Sequence, residues 1–289
     1  MNILVLGSEG LIGNALWQRL ESNGHHIFRF DKKIGWDINN DEHLESLEHY
    51  VKMSEFVFFL AFDVGGSEYL YKHEHTVDFI SNNVRMMERV FSVLKEHPRP
   101  FVFISSMMTK MPQSTYGILK SLGERYTKAL DGISARFWNV YGAEEIEPGK
   151  NHVITDFIVS ALSTKQINCK TDGSEVRQFL HTVDSTKALE LIMNNYDKVK
   201  LLSSNDLNCV DVSNNNWQSI REIADYIGSK ADCKVSFAAS KDKVQKDLKI
   251  DPQLNIMHLL GWCETKSLFD GIDGLFRLYK EKLERTQND

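Results

Sequence analysis

The first thirteen residues read Met1-Asn2-Ile3-Leu4-Val5-Leu6-Gly7-Ser8-Glu9-Gly10-Leu11-Ile12-Gly13. Residues 3–6 form a continuous apolar run, which is typical of a buried strand. Three glycines follow at intervals of three residues, and the apolar spacing then becomes helical. A strand, a glycine turn and a helix in this order favour a site for a dinucleotide pyrophosphate. The turn lets the backbone approach the phosphates, and the N-terminus of the helix attracts the anion.

An acidic residue that suits this site follows the next predicted strand. Residues 26–30 read as that strand, and Asp31 comes directly after it. A carboxylate at this position accepts the hydroxyl groups of an adenosine ribose and repels a 2′-phosphate, which favours NAD as the cofactor. Lys32 and Lys33 provide positive charge beside Asp31, so NADP stays open as the alternative.

The composition narrows the class of protein. The chain has 289 residues, of which 42% are hydrophobic and 26% charged, as in an ordinary globular protein. A net charge of -6 argues against a general nucleic-acid binder, and no apolar run approaches the length of a membrane span. The four cysteines are far apart, which is typical of reduced thiols rather than of disulfides or a zinc site. We therefore expect a cytoplasmic protein that binds no nucleic acid, membrane or metal.

Strands alternate with helices along the chain, which predicts an α/β fold. We expect a Rossmann-type doubly wound parallel sheet with a smaller mixed α/β C-terminal substrate-binding domain. Further strands are predicted at 55–61, 100–106 and 133–140, and helices at 77–95, 116–130, 153–162, 185–195, 217–227 and 268–283. The pattern changes after Gly142. We therefore place an NAD(P)-binding domain at 1–142, with a return segment at 174–214, and a mostly substrate-binding domain at 143–289.

The strongest catalytic pattern is Tyr116-Gly117-Ile118-Leu119-Lys120, with Ser106 upstream at a predicted strand end. On a helix, Tyr116 and Lys120 lie one turn apart on the same face. The ammonium group of Lys120 then favours the phenolate form of Tyr116, and Lys120 also reaches the nicotinamide ribose. We expect Tyr116 to exchange a proton with a sugar hydroxyl, held by Ser106, while hydride moves at the same carbon.

With these motifs the chain resembles the extended short-chain dehydrogenases/reductases of the nucleotide-sugar epimerase/dehydratase family over nearly its whole length. Three later segments also carry the resemblance: Arg136-Phe-Trp-Asn-Val-Tyr-Gly142, Gly173-Ser-Glu-Val-Arg-Gln-Phe-Leu-His-Thr-Val-Asp184, and Leu260-Gly-Trp262 followed by Ser267-Leu268. The resemblance implies a nucleotide-sugar substrate. It also implies a homodimer, formed through the helices predicted at 77–95 and 116–130.

The resemblance assigns roles residue by residue. The catalytic residues are Ser106, Tyr116 and Lys120, and the substrate is bound by Ser106, Asn139 and Arg177. The cofactor is bound by Gly7, Gly10, Leu11, Ile12, Gly13, Asp31, Asp37, Ile38, Leu60, Ala61, Asn83, Tyr116 and Lys120.

Two departures from the family pattern limit the chemistry. Only residues 107–115 separate Ser106 from Tyr116, where many relatives have a long loop. Met107 and Met108 stand where the dehydratases carry Asp-Glu and some epimerases carry a cysteine. Because methionine cannot move protons, we expect hydride transfer at one carbon, in the simplest case C4. The activity would then be that of a 4-epimerase or of a sugar-nucleotide dehydrogenase or reductase.

Three alternatives remain open from the sequence. A dehydratase or a 3,5-epimerase would need an acid/base residue from elsewhere, and Asp63, His73 and His75 are the candidates near a glycine-containing loop. The third alternative is a non-catalytic protein that senses the dinucleotide.

Overall fold

A computed structural model describes residues 1–242, 244 and 249–286. The strands are β1 (Asn2–Leu6), β2 (His26–Phe30), β3 (Phe56–Phe59), β4 (Phe101–Ser106), β5 (Ile133–Phe137), β6 (Asn139–Tyr141), β7 (Gln166–Cys169), β8 (Val176–Arg177), β9 (Phe179–His181), β10 (Cys209–Val212), β11 (Gln218–Ser219) and β12 (Lys234–Phe237). The α-helices are α1 (Leu11–Ser22), α2 (Leu44–Met53), α3 (Ser67–His73), α4 (Val77–Glu96), α5 (Thr115–Ala129), α6 (Val153–Thr164), α7 (Thr182–Asn194), α8 (Tyr196–Ser203), α9 (Ile220–Ala231), α10 (Asn255–Leu259) and α11 (Leu268–Thr286). Short 3-10 helices span Lys32–Ile34, Asp41–His43 and Met107–Lys110.

The main sheet has six parallel strands in the order β10-β5-β4-β3-β1-β2, all within the described residues. The chain adds β2 on one side of β1 and then crosses to add β3 on the other side. This reversal makes a topological switch point between β1 and β3, where ligands bind in such sheets. The carboxyl ends of the strands lie along one edge of the sheet, because all of them run in the same direction.

Helices cover both faces of the sheet. In β1, Leu4 and Leu6 pack into the core beneath α2, α4 and α5, whereas Ile3 and Val5 pack into the opposite core beneath α1 and α7. This alternation explains the continuous apolar runs, since a strand that is buried on both faces has no solvent side. The predicted doubly wound parallel fold is confirmed.

The second unit has its own core, which α6, α9 and α11 build with short strands. Its strand pairs are β7 with β12, β8 with β11, and β6 with β9, a mixture of parallel and antiparallel pairs. Before the chain returns to the main sheet at β10, α7 packs against one face of that sheet. A mixed α/β unit therefore stands beside the carboxyl edge of the Rossmann sheet, as the fold class predicts.

The bounds of most predicted elements differ by a few residues in the structure, and two of these differences have an identifiable cause. The strand predicted at 133–140 divides at Trp138, because β5 pairs in the main sheet and β6 leaves it to pair with β9. The helix predicted at 217–227 begins at Ile220, since residues 218–219 pair with β8. Ser219 and Glu222 then form a reciprocal capping box that fixes the start of α9.

The described residues contain no helix whose length and apolar character would let it cross a membrane. The four cysteines, all within the described part, form no disulfide with one another.

Candidate active site

A cavity of about 980 Å³ lies at the carboxyl edge of the main sheet, where the second unit faces it. Its wall includes the ends of β1, β3 and β4 from the sheet. From the second unit it includes α6 and residues 168–171, 175 and 177. The volume is at the upper end of the range for small-molecule sites. Both units are therefore needed to enclose a ligand here.

The glycine turn forms the part of this cavity nearest to β1. Gly7 has a positive φ of 86°, and a Cβ atom there would lie 2.6 Å from the backbone nitrogen of Ala61. A Cβ atom on Gly13 would lie 2.0 Å from the carbonyl oxygen of Gly7. The N-terminus of α1 has no side-chain cap, so the N–H groups of its first turn face the cavity without a competing acceptor. This cradle fits the pyrophosphate of a dinucleotide.

The other predicted cofactor residues line the same wall, with one exception. Leu60 and Ala61 both donate their N–H groups to the carbonyl of Leu6 at 2.9 Å, which ties the end of β3 to the glycine turn. Asp37 and Ile38 also line the cavity. Asn83, in contrast, is fully buried, and its amide bonds the backbone of Asp63 at 2.7 and 3.2 Å. It holds the loop after β3 in place.

The ribose acid and its neighbour meet the second unit at the mouth of the cavity. Asp31 accepts hydrogen bonds from the backbone N–H groups of Glu9 at 3.0 Å and Lys33 at 2.9 Å. The ammonium group of Lys33 lies 2.6 Å from each of two carboxylates, those of Glu145 and Glu147. Burial opposes the charge on Lys33, but hydrogen bonds to these two residues outweigh it and raise the pKa of the lysine. The lysine charge is therefore already matched by acids of the second unit.

Ser106, at the end of β4, lies beside Tyr116 and Lys120 of α5. Ser106 ends β4, and its hydroxyl accepts a hydrogen bond from the Met108 N–H at 3.2 Å and bonds to the Tyr116 hydroxyl. Lys120 donates to the carbonyl of Ile104 at 2.7 Å. All three predicted catalytic residues line the cavity.

Burial has the largest effect on the pKa of Tyr116 and on that of Lys120. It raises the pKa of Tyr116 to about 12, although the bond to Ser106 opposes the rise. It lowers the pKa of Lys120 to about 7, against the attraction of Glu124. The Lys120 ammonium lies 5.8 Å from the centre of the Tyr116 ring and only 3.7 Å from that of Phe62. Before a cofactor adds its charge, Tyr116 is therefore a neutral phenol at neutral pH.

A buried glutamate that the sequence did not identify sets the position of Tyr116. Glu74 follows α3, is 5% exposed, and accepts hydrogen bonds from the Ser114 hydroxyl at 2.9 Å and the Tyr116 N–H at 3.1 Å. Ser114 in turn caps α5 through the N–H of Gly117. A Cβ atom on Gly117 would lie 2.1 Å from the Met108 carbonyl, so α5 packs directly on the short segment before it.

The predicted substrate residues lie in the part of the cavity that the second unit encloses. Asn139, at the start of β6, donates from its amide to the Gln178 carbonyl at 3.3 Å. Arg177 is 5% exposed, donates to the Val176 carbonyl at 2.6 Å and forms an ion pair with Asp242. Both side chains can therefore turn toward an anionic ligand. Arg177 would do so by exchanging the carboxylate of Asp242 for that ligand.

A histidine that the sequence argument overlooked also lines the cavity. The imidazole of His152 lies 2.9 Å from a carboxylate oxygen of Glu144, which also accepts the His152 N–H at 3.1 Å. Burial opposes the charged imidazole, but the hydrogen bond to Glu144 together with the negative charges of Glu144 and Asp156 outweighs it, so the pKa of His152 is raised. His73 and His75, which the sequence suggested, are exposed, and Asp63 lines the cavity with its carboxylate bonded to Tyr69. The only sequence feature that could have identified His152 is its position directly before the helix predicted at 153–162.

Comparison with known proteins agrees with this site. The model of the NAD dependent epimerase/dehydratase family matches residues 3–208. UDP-glucuronic acid decarboxylase 1 of Danio rerio is 22% identical over 99% of this chain and 74% of that protein. The structure of UDP-glucose 4-epimerase from Thermotoga maritima has a TM-score of 0.82 at 18% identity, covering 98% of this chain and 100% of that one. A GDP-6-OMe-4-keto-L-xylo-heptose reductase from C. jejuni gives 0.82 at 18%, covering 97% and 98%.

The chain belongs to the NAD dependent epimerase/dehydratase family. It is an NAD(P)-dependent enzyme of the extended short-chain dehydrogenase/reductase class, as the glycine cradle and the Ser106, Tyr116 and Lys120 set indicate. The three relatives carry out a decarboxylation, an epimerisation and a reduction, so the shared fold does not choose among these reactions.

From the Lys33 ion pairs we predict which residues set the preference between NADH and NADPH. In the double variant Glu145→Gln/Glu147→Gln, Lys33 is released to meet a 2′-phosphate and two negative charges are removed. We expect the Kd for NADPH to fall by about tenfold, since a charge-assisted hydrogen bond is gained, while the Kd for NADH stays within about twofold. Isothermal titration calorimetry measures both constants.

Two controls make this result specific. Glu281→Gln, on an exposed part of α11, should change neither constant. Adding Lys33→Met to the double variant should remove much of the gain for NADPH. An unchanged ratio of the two constants in the double variant contradicts the assignment.

Proposed function

We propose that the protein transfers hydride at a single hydroxyl-bearing or keto carbon of a nucleotide-linked sugar, in the simplest case C4, with Tyr116 as the acid/base. The observation that carries this proposal is the set of Ser106, Tyr116 and Lys120 on the cavity wall, with the buried residues Met107 and Met108 beside it. Both methionines are packed into the core, so no proton-transferring group stands at the positions that dehydratases of the family use.

The chain fits the cofactor in two places. Gly7, Gly10 and Gly13 would cradle the pyrophosphate, and Asp31 would accept the adenosine ribose hydroxyls. When bound, NAD(P) supplies the hydride acceptor or donor.

The resting state of the trio suits the reductive direction. A neutral Tyr116 phenol can donate its proton to a carbonyl oxygen, whereas proton removal from an alcohol needs the phenolate. Ser106 is placed to hold the same oxygen, because its hydroxyl bonds to that of Tyr116. Lys120 supplies positive charge beneath the ring when protonated, which lowers the cost of the phenolate that results. We therefore place keto-sugar reduction first. 4-Epimerisation would use the same groups twice, first to oxidise the alcohol and then to reduce the ketone with the hydride returned to the opposite face.

This mechanism predicts the effect of Tyr116→Phe. The variant loses the transferable proton, so turnover should fall by about 100-fold or more, while the Kd for NADH changes by less than about twofold. The initial rate with the true substrate and the fluorescence of bound NADH give the two values. Tyr71→Phe, on the exposed side of α3, is the matched control and should retain activity. Full turnover by Tyr116→Phe would exclude Tyr116 as the acid/base.

The His152–Glu144 pair supports a second candidate, epimerisation at a carbon beside a ketone. An imidazole paired with a carboxylate can take or give a proton at carbon, and this pair lines the same cavity as Tyr116. We place it second because an epimerisation needs a proton on each face of the sugar ring, and Met107 removes the usual partner.

Solvent deuterium separates the two candidates. Hydride transfer at a single carbon moves no proton at the neighbouring carbons, so we expect no deuterium at C3 or C5 of the product formed in D2O. Proton NMR of the recovered sugar nucleotide measures this directly. Incorporation that disappears in His152→Gln would establish the second candidate instead.

We also propose that the protein forms a homodimer through α4 and α5. These adjacent helices expose a set of apolar side chains: Val77, Val84, Ile118, Leu122 and Tyr126. A second copy of the same surface would bury them around a two-fold axis.

Light scattering tests the dimer. The chain mass is 33.2 kDa, and the wild-type protein should show about twice this mass. The double variant Ile118→Arg/Leu122→Arg should be a monomer, since it would bury unpaired charges in the interface. A monomeric wild type contradicts the proposal.

A further inference from the structure

A carboxylate without a complete set of hydrogen bonds lies in the part of the cavity that the second unit encloses. Glu175, just before β8, lines the cavity and is 6% exposed. The second unit also contributes residues of α6, of the end of β7 and of the segment after β7 to the cavity wall. They are Phe157, Ser160, Cys169, Lys170 and Thr171. This part of the wall belongs entirely to the second unit.

One oxygen of Glu175 is bonded and the other is not. Oε1 accepts a hydrogen bond from the Thr171 hydroxyl at 2.5 Å. Oε2 is buried and has no hydrogen-bond partner among the residues that the structure describes. The Thr171 hydroxyl also accepts the Gly173 N–H at 3.3 Å, and its single proton is committed to Oε1. Thr171 therefore cannot serve the second oxygen as well.

The nearby arginine does not neutralise Glu175 either. Arg177 pairs with Asp242, and the described residues include no cation within ion-pairing distance of Glu175. An ionised carboxylate only accepts hydrogen bonds, and a buried one that lacks a donor is unfavourable for folding. An unpaired acceptor in a cavity wall is what a ligand donor would satisfy.

The position of Glu175 relative to Arg177 indicates which part of a substrate it meets. Glu175 directly precedes β8, which ends at Arg177, and the pairing with β11 continues through Glu175, so the two side chains leave the same face. Backbone pairing holds this segment in place, since the Ile220 N–H donates to the Glu175 carbonyl at 3.0 Å. The family resemblance implies that Arg177 holds the substrate diphosphate, which has the sugar on one side and the nucleoside on the other. The sugar has to reach Tyr116 at the main sheet, so we assign the nucleoside to the wall of the second unit that carries Glu175.

We propose that Glu175 recognises the base of the substrate and that this base is guanine, so that the substrate is a guanosine-diphosphate-linked sugar. The inference rests on the proposed function. Guanine presents two adjacent N–H donors, at N1 and at the 2-amino group, which match the two oxygens of a carboxylate. Uracil places a carbonyl on each side of its single N–H, and adenine and cytosine place an acceptor nitrogen beside their amino group. Each of these acceptors would face a negative oxygen.

Binding of nucleoside diphosphates to the NAD-loaded protein tests the inference. We expect GDP to bind about tenfold or more tightly than UDP, CDP or ADP, because hydrogen bonds to a charged group are at stake. Inosine diphosphate keeps N1–H and lacks the 2-amino group, so it should fall between GDP and the others. Isothermal titration calorimetry gives all five constants without any substitution.

A substitution then ties the preference to Glu175. Glu175→Gln places N–H donors against those of guanine and should weaken GDP binding by about tenfold, with UDP within about twofold. Glu281→Gln is the control, and unchanged thermal unfolding of both variants verifies their folding. An unaltered preference for GDP in Glu175→Gln overturns the role of Glu175.

The outcomes separate this inference from the function on which it rests. If UDP, CDP or ADP binds as tightly as GDP, the guanine assignment is wrong and a nucleotide-sugar substrate stands. If no nucleoside diphosphate binds, both are overturned.

Discussion

The close approach of two backbone segments at the switch point is the constraint on which the site depends. Gly7 lies against Ala61 and Gly13 lies against Gly7, at distances that leave no room for a Cβ atom. This contact joins the end of β1 to the end of β3. It also orients α1 so that its N-terminus, which has no side-chain cap, faces the cavity. A side chain at either glycine would push these segments apart, and the anion cradle would be lost with the packing.

The residues that we propose as catalytic are positioned by burial rather than by a long active-site loop. The segment before α5 is short, and it is held by Ser114, by Glu74 and by the contact of Gly117 with the Met108 carbonyl. Burial also sets the protonation states, because it raises the pKa of Tyr116 and lowers that of Lys120. A neutral acid beside a lysine that can become charged is an arrangement that favours giving a proton to a ketone.

Local patterns predicted the sheet, the glycine cradle and the position of Tyr116 and Lys120 on the cavity side of one helix. These features depend on residues that are close in sequence and on the periodicity of one strand or helix. The contacts of Lys33 with Glu145 and Glu147, and of Tyr116 with Glu74, join distant parts of the chain. They depend on how the second unit and the loop after α3 meet the sheet, and no local pattern encodes that.

The sequence does not reveal the surroundings of some residues, because residues of the same type occur at many other positions in the chain. His152 is one of ten histidines, and its pairing with Glu144 is visible only in three dimensions. The cofactor contact of Asn83 stays a prediction, and in the structure the amide of Asn83 bonds the backbone of the loop after β3. Glu175 lay inside a recognised motif, but only the structure shows that one of its oxygens lacks a donor.

The near-ultraviolet absorbance of the bound cofactor tests the central claim most directly. Protein loaded with reduced cofactor is mixed with a panel of nucleotide-linked 4-keto sugars, and protein loaded with oxidised cofactor with the corresponding alcohols. The account predicts that the 340 nm band of the reduced cofactor falls with a keto sugar or rises with an alcohol, and that Tyr116→Phe slows the change. If the band stays constant with every sugar although the sugars bind, the protein does not transfer hydride and the account is wrong.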